Sequence, residues 1–271
     1  MFFGYNSHIA YWLFSRYKWI PRWLCGAALR IAEATAWRIW GAQSRNARRL
    51  RKIRRSLNAT GLDRHIRLVD WTSSEDRLSI YSHSLLGRLD SHERTSSYMT
   101  KYFEEFEGVG DLNRHSHVLI QSFLAAHNFL YADKSSMAAS VEVRVPFMDV
   151  DIMKLCARMP ERYKLNNGTT KYMLKKAMES CLPKEIIHRK KAPFGAPLRK
   201  WIAEDLDPLI EDLLGARRID ERGLFNPKAV RHIIEENRDN KADNSYFIYA
   251  LITLEIWMQT FLDRPGEEVV F

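Results

Sequence analysis

Apolar residues recur every three or four positions through most of the chain, most clearly at 112–130 and 244–262. This spacing is typical of amphipathic or buried α-helices. Strict alternation of apolar and polar residues, which predicts a strand, is clear only at 141–145, where Pro146 ends it. The pattern therefore predicts a mainly α-helical protein with very little sheet.

Capping residues and prolines divide this pattern into separate helices. Ser73 is followed by polar and acidic residues and predicts the start of a helix that runs to about Leu89, and Asn226-Pro227 opens another. The other predicted segments are 9–40 with a break at Pro21, 45–55, 112–130, 149–159, a helix capped by Gly168-Thr169-Thr170 that ends before Pro183, 197–214 and 244–262. Residues 264–271 are predicted to form a loose tail.

The composition is that of a globular protein, with 46% hydrophobic and 28% charged residues. A net charge of +9 favours anionic partners such as nucleotides, nucleic acid or membrane surfaces, without choosing among them. No uncharged apolar run reaches the roughly 18 residues of a spanning helix, and the first residues do not fit a signal peptide. Three widely spaced cysteines, Cys25, Cys156 and Cys181, predict isolated thiols in a cytoplasmic protein rather than a disulfide or metal site.

Residues 133–149 place acids, bases and hydroxyl groups beside apolar side chains, in the sequence DKSSMAASVEVRVPFMD. Because side chains of an extended segment repeat every second residue, Glu142 and Arg144 should lie on the same side. The residues alone allow two interpretations. The segment is either a half-solvated strand edge or one polar wall of a pocket.

A second polar stretch, residues 189–197, has the sequence RKKAPFGAP. Three consecutive cations, Arg189, Lys190 and Lys191, precede a loop rich in proline and glycine, after which a helix is predicted. A cationic loop of this kind suits phosphate, although a solvated basic loop has the same composition.

Among the histidines, His115 and His117 flank a predicted helix start, and His127 and His188 lie beside the two polar stretches. None has an acidic residue or cysteine at the spacing of a metal site, so surface or capping roles are predicted and no metal ligand is assigned.

Both polar stretches resemble signatures of the asparagine synthetase family, in the C-terminal part of its synthetase domain. Residues 133–149 are similar to the pattern D-(K/R)-x-S-M-A-x-S-x-E-x-R-V-P-F-L-D, with Met148 in place of leucine, and residues 189–197 to R-x-K-x-G-F-x-x-P, with Pro193 in place of glycine. Further similarities lie at 155–164, 170–175 and 182–187, and Phe3-Gly4-Tyr5-Asn6 resembles L-F-G-G-Y-N. Ordered matches over some 65 residues form a specific signal.

The resemblance implies the helical C-terminal portion of an α/β nucleotide-binding, adenine nucleotide alpha-hydrolase-like synthetase domain. The whole chain, 1–271, is then expected to be a partial asparagine synthetase domain, with the strongest match at 131–201. Family members activate the side-chain carboxylate of aspartate with ATP and Mg²⁺, giving an acyl-adenylate and pyrophosphate. Ammonia derived from glutamine then attacks the acyl carbon.

The resemblance also implies roles for individual residues. Lys191 matches the lysine that contacts phosphate and the developing oxyanion, and it is the predicted catalytic residue. Arg189 would support it electrostatically, and Asp133 and Lys171 would help to form the nucleotide or substrate site. Glu142 and Arg144 are expected to shape the site as a buried pair.

Several family features are not found in the sequence. The phosphate loop Ser-Gly-Gly-x-Asp-Ser and the N-terminal cysteine of the glutaminase domain have no counterpart, so the chain is expected to be a fragment that is inactive alone. In addition, residues 123–130 replace the family pattern Y-L-P-D-D-L-L. Relatives in glycan or peptide pathways modify other carboxylates by the same chemistry, so a different acceptor is an alternative to aspartate.

Two other classes of function remain open. The basic segment 45–55, with aromatic residues before it, is compatible with nucleic-acid binding, but a solvated basic helix face is the more common case. The chain could also be a non-catalytic homologue that docks on a complete synthetase, with an N-terminal partner chain or as a homo-oligomer.

Overall fold

The computed structural model describes residues 2–41, 44–89, 97–189 and 196–263, and it is mainly helical as the sequence predicts. Within these residues the chain forms two compact units. Unit 1 comprises Met1–Cys25, Ser56–Val69 and Arg94–Ala192, and unit 2 comprises Gly26–Arg55, Asp70–Glu93 and Pro193–Phe271.

The helices and strands are mostly short and closely spaced along the chain. In chain order the first half has α1 Asn6–Arg16, α2 Arg22–Trp40, α3 Arg45–Ser56, α4 Gly61–Val69, α5 Ser74–Ile80, α6 His83–Arg88, α7 Ser97–Glu104, α8 Asp111–Leu119, a π-helix Ile120–Phe129 and α9 Leu130–Ala138. The second half has a 3₁₀ turn Pro146–Met148, α10 Val150–Arg158, α11 Glu161–Lys164, β1 Leu165–Asn166, β2 Thr169–Thr170, α12 Tyr172–Ala177, α13 Lys184–Ile187, α14 Leu198–Lys200, a π-helix Trp201–Asp205, α15 Asp207–Leu214, α16 Ala216–Arg222, α17 Pro227–Arg238, α18 Ser245–Met258 and a π-helix Gln259–Asp263.

Unit 2 has an aliphatic core built around α15, α17 and α18. Its buried members include Ile210, Val230, Ile234, Ile248 and Leu251. In unit 1, Leu112, Val118 and Leu119 of α8 are buried as predicted, and Phe3, Ala10 and Tyr11 join them from the start of the chain. The predicted core residues Phe123, Leu124 and Phe129 lie in the π-helix and are only partly buried.

Several helix boundaries agree with the sequence signals. Pro21 separates α1 from α2, and the Ser73 side chain accepts a hydrogen bond from the backbone N–H of Asp76 at the start of α5. The Asn226 side chain caps α17 in the same way. In each case a polar cap or a proline acts locally, without help from distant residues.

The single helix predicted from Ser73 to Leu89 is wrong, because the helix ends at Ile80 and a new one begins after Ser82. Tyr81 forms a β-bridge with Phe225, and the Ile80 carbonyl accepts a hydrogen bond from the backbone N–H of Asn226 at 2.7 Å. These contacts come from more than 140 residues further along the chain. The predicted helix 197–214 is similarly interrupted at Leu206.

The predicted strand at 141–145 is also wrong, since these residues pair with no other strand in the described part of the chain. The antiparallel pair that the structure contains is a short hairpin of β1 and β2. Its turn residues Asn167 and Gly168 have φ values of +46° and +80°, so the predicted cap at Gly168-Thr169-Thr170 is a hairpin instead. The predicted tail 264–271 lies outside the described residues.

Candidate functional site

The first motif segment runs from α9 to α10 on the exposed side of unit 1. Asp133 lies in α9 with its side chain exposed, and residues 141–145 are exposed as well. After the Pro146–Met148 turn, the Asp149 carboxylate accepts hydrogen bonds from two backbone N–H groups in the first turn of α10. The last acid of the motif therefore acts as a helix cap.

Glu142 and Arg144 pair with each other, as expected, but the prediction of a buried pair is wrong. The Arg144 Nε donates to Glu142 Oε1 at 3.1 Å and a second guanidinium nitrogen donates to Oε2 at 3.3 Å. The Arg144 and Glu142 side chains are 83% and 70% exposed. An extended backbone places residues two apart on one side, which is enough for pairing without burial. The pair presents both charges to whatever approaches this face of unit 1.

A cavity of about 190 Å³ lies beside this segment within unit 1. Three parts of the chain with family-like sequence contribute to it: the segment Phe2–Tyr5, Phe147 of the first motif, and Lys171. The remaining lining residues are His8, Ser116, Leu119, Ile120, Leu124 and Leu174. Among the residues predicted for the site, Lys171 reaches this cavity, whereas Asp133, Glu142 and Arg144 are not in its lining.

The backbone at the cavity is held in unusual conformations. Phe3 has a φ of +54° although it is an aromatic residue, and it is only 1% exposed. Its ring stacks on His8 at 4.9 Å between centroids, and the amine of the buried Lys164 lies 4.9 Å from the centre of the ring. A positive φ at such a residue costs of the order of 1–3 kcal/mol and persists only where packing holds it. The packing around Phe3 therefore fixes the shape of this wall.

Lys171 is joined to the same wall through its backbone. It has a φ of +56°, and its N–H donates to the Phe2 carbonyl at 3.1 Å. The Lys171 side chain passes close to Gly4, where an added Cβ would lie 2.9 Å from Lys171 Cε. Among the described residues no carboxylate pairs with its amine. Lys171 is thus a cation available at the cavity.

Three buried histidines form a cluster that begins at the cavity wall, which His8 lines. His8 contacts Ser116 Oγ at 3.3 Å, and His115 contacts His65 at 2.6 Å and Ser7 Oγ at 2.8 Å. Burial lowers the pKa of His8 to about 3 and that of His65 to about 4, and it holds the pKa of His115 well below its usual value. All three imidazoles are therefore neutral at physiological pH.

The surface or capping role predicted for His115 is wrong, because its side chain is fully buried. The residues next to His115 in the sequence do not indicate its burial, because its partners His65 and Ser7 lie 50 and 108 residues away. His117 also has an acidic partner that spacing did not reveal, with Nε2 3.0 Å from Glu105. His127 and His188 are exposed, as predicted.

Lys164, which belongs to one of the family-like segments, is buried rather than part of the cavity lining. Its Nζ donates to Asn113 Oδ1 at 2.8 Å, and burial lowers its pKa. Its position against the Phe3 ring gives it a supporting role for the cavity wall.

The second motif is described only at its edges. Arg189 follows α13 with its side chain exposed. Lys190 and Lys191, including the predicted catalytic residue, lie outside the described residues, and their roles stay predictions.

The described residues do not fit a Mg²⁺ site. In the described part of the chain no group of three or more His, Cys, Asp or Glu side chains is placed to hold a metal ion. The three cysteines are free thiols, and no helix in the described ranges has the length and apolar character needed to cross a bilayer.

The basic helix α3 carries its cations largely in ion pairs within unit 2. Glu33 accepts hydrogen bonds from Arg51 at 3.1 Å and Arg54 at 2.5 Å, and Arg48 lies 3.3 Å from Asp243. Arg55 lies 3.6 Å from Asp76. Because four of its arginines already contact carboxylates of unit 2, the helix is better interpreted as a salt-bridged face than as a nucleic-acid site.

The sequence did not predict that Phe3, His8 and Ser116 line the cavity, where they contribute to its shape and polarity. The Phe3-Gly4-Tyr5-Asn6 resemblance marked the segment, but not the buried ring. His8 and Ser116 meet across 108 residues, and a single sequence contains no signal for such a contact.

Comparisons with known proteins give the following matches. The asparagine synthase family pattern matches residues 1–259. Asparagine synthetase 1 (glutamine-hydrolyzing) of Bacillus subtilis (strain 168) is 33% identical over 179 residues, covering 63% of this chain and 28% of that protein. Asparagine synthetase (glutamine-hydrolyzing) of Gallus gallus is 32% identical over 147 residues, covering 51% and 26%.

Asparagine synthetase 3 of the same Bacillus strain is 26% identical over 166 residues, covering 55% of this chain and 27% of the relative. No solved structure matches the chain significantly. The chain therefore spans about a quarter of the length of the curated relatives it matches.

Proposed function

The chain belongs to the asparagine synthase family, and from this premise we propose that it forms part of a ligase that converts the side-chain carboxylate of aspartate into an amide. In the proposed reaction the carboxylate oxygen attacks the α-phosphorus of ATP. The bond from that phosphorus to the bridging oxygen breaks, and pyrophosphate leaves. Ammonia from glutamine then attacks the acyl carbon, loses a proton, and displaces AMP.

The observation that best supports this proposal is the convergence of family-like segments at one place in unit 1. Phe2–Tyr5, Phe147 and Lys171 come from distant parts of the chain and line one cavity. The exposed Glu142–Arg144 pair leaves the same motif segment open to a ligand. Both steps of the reaction develop negative charge, so fixed cations next to the reacting groups lower the barrier.

Within this proposal the cations have separate roles. Lys191 contacts the phosphate and the oxyanion that forms during transfer, and Arg189 adds positive charge beside it. Lys171 orients a carboxylate at the cavity. The phosphate cradle and any metal ligands come from polypeptide other than the described residues.

A second candidate acceptor is a carboxylate other than aspartate. The cavity contains one cation, Lys171, but no acidic side chain among its described lining residues. Aspartate also carries an α-ammonium, and none of these lining residues offers it an acidic partner. An acceptor with an apolar body and a single carboxylate would need no such partner.

The Glu142–Arg144 pair offers a test that separates function from stability. Replacing Glu142 with Gln should change the free energy of unfolding by less than about 0.5 kcal/mol, because the pair is exposed and solvent screens it. If the pair contacts substrate, the same change should lower the rate of amide synthesis at least about tenfold. Urea titration and amide formation from ATP, aspartate and ammonia measure the two effects, in the longest polypeptide that contains this chain.

The exposed pair Arg217–Glu221 of α16 provides the matched control, with side chains 92% and 60% exposed. The Glu221→Gln variant should leave both stability and synthesis unchanged. Synthesis by Glu142→Gln at the rate of the unmodified enzyme would remove the pair from the proposed site. A large loss of stability would instead assign it an architectural role.

A further inference from the structure

The cavity of unit 1 has a lining that is mainly aromatic and aliphatic. Phe2 and Phe147 meet edge to face with 6.2 Å between ring centroids, and Tyr5 stacks on His8 at 6.1 Å. Leucine and isoleucine side chains of α8, the following π-helix and α12 complete the walls. Such walls favour a flat or branched apolar body, because aromatic rings prefer offset and edge-to-face contacts with one another.

The polar groups at the cavity have fixed roles. His8 Nδ1 accepts a hydrogen bond from the Tyr5 backbone N–H at 3.2 Å, so the neutral ring carries its hydrogen on Nε2 and donates to Ser116 Oγ. The Ser116 hydroxyl hydrogen is then available to a molecule in the cavity. With His8 neutral, Lys171 supplies the positive charge of the lining.

The size of the cavity limits what it can hold. Pockets for drug-sized ligands measure roughly 300–1,000 Å³. A space of about 190 Å³ fits a molecule of roughly ten non-hydrogen atoms, the size of a phenyl ring with a short acidic arm.

We propose that this cavity binds a small monocarboxylate with an aromatic or branched apolar body, with its carboxylate at the Lys171 amine and its body among the rings of Phe2, Tyr5 and Phe147. The inference rests on the proposed function only in treating the site as an acceptor site. Binding itself requires neither ATP nor turnover, so the two claims fail separately.

Isothermal titration calorimetry of the 271-residue chain with phenylacetate tests the proposal. A ligand this small should bind with a Kd in the millimolar range. The Lys171→Met variant keeps the length of the side chain and removes its charge, and it should weaken binding at least ~5-fold. Lys175→Met, one turn further along α12 and outside the cavity lining, is the matched control and should bind phenylacetate normally.

Gly4 offers a second variant that leaves the lysine in place. In Gly4→Ala the new Cβ would lie 2.9 Å from Lys171 Cε, so the flexible side chain must move its amine, and phenylacetate binding should weaken in the same direction. Gly87→Ala is the control, since an added Cβ there meets no atom within 4 Å. Thermal melting verifies that each variant is folded.

Two comparison ligands test whether the cavity recognises the carboxylate group of phenylacetate. The neutral analogue 2-phenylethanol should bind more weakly than phenylacetate and without dependence on Lys171. Equal binding of phenylacetate to the original chain and to Lys171→Met would overturn the proposal, as would the absence of binding. Tighter, Lys171-dependent binding of phenyl phosphate would overturn the carboxylate assignment in favour of a phosphate site.

Discussion

Replacing Lys191 with alanine is expected to lower the rate of amide synthesis at least about a hundredfold, the loss typical of removing one group that stabilises developing charge. The expectation rests on the resemblance of residues 189–197 to a family signature whose lysine contacts phosphate. Because the lysine acts on charge that develops in the transition state, the loss should appear in kcat more than in KM. If the proposed enzyme also hydrolyses glutamine, the resemblance assigns that step to a separate nucleophile, so it should continue in Lys191→Ala.

The measurement is synthesis with ammonia as the nitrogen source, in the longest polypeptide that contains this chain. Lys200→Ala is a suitable control, because that lysine is exposed and its nearest described carboxylate is Glu204 at 3.9 Å. Lys191→Arg keeps the positive charge but replaces the compact ammonium group with a planar guanidinium group, so it should recover part of the rate. Near-normal kcat in Lys191→Ala would refute the assignment of Lys191.

The second large effect is a loss of stability in mild acid. His8, His65 and His115 are neutral in the folded protein because burial holds their pKa values far below the ordinary 6.5. In the unfolded chain they take up protons near pH 6.5. Stability rises with pH wherever the unfolded state binds more protons, so the free energy of unfolding should fall as the pH drops below about 6.5.

The pH range over which stability falls ends at the pKa values of the folded protein, about 4 for His65 and about 3 for His8. Each histidine contributes about 1.4 kcal/mol per pH unit, so three together contribute roughly 4 kcal/mol per unit. A domain is stable by only about 5–15 kcal/mol, so the free energy of unfolding of unit 1 should be markedly lower at pH 5 than at pH 7. The positive charge of Lys164 near the cluster acts in the same direction.

Urea titrations at pH steps from 8 to 4.5 measure this dependence. His65→Gln should reduce its slope by about one third. The surface variant His188→Gln should leave the slope unchanged. Equal stability of the unmodified chain at pH 7 and pH 5 would show that the cluster is protonated when folded, contrary to its burial.

The sequence predicted the helical class and many helix boundaries because these depend on local chemistry. Ser73, Asn226 and Pro21 act on backbone groups within a few residues. The break at Tyr81 could not be predicted, because it depends on pairing with Phe225. The hairpin around Asn167-Gly168, in contrast, could have been predicted, because Asn-Gly is a strong sequence signal for a hairpin turn.

The candidate site was predicted only in part, for a physical reason. Lys171 was predicted for the site because it lies in a family-like segment, and it lines the cavity together with Phe147 of the first motif. Whether a charged side chain is buried or exposed depends on what packs against it, and the motif does not encode this. The sequence therefore did not predict that the Glu142–Arg144 pair is exposed, or which other residues line the cavity with Lys171. The buried histidines look like surface histidines in the sequence, because a single polar residue on a helix gives no indication of what packs against it.

The central claim is that this chain contributes to activating a carboxylate as an acyl-adenylate, and exchange of labelled pyrophosphate into ATP tests it most directly. The reaction should be run without ammonia or glutamine, in the longest polypeptide that contains this chain. We expect exchange that requires an acceptor carboxylate, either aspartate or an apolar monocarboxylate, and that falls at least about a hundredfold in Lys191→Ala. Carboxylate-dependent release of ADP and phosphate, with no label entering ATP, would contradict it.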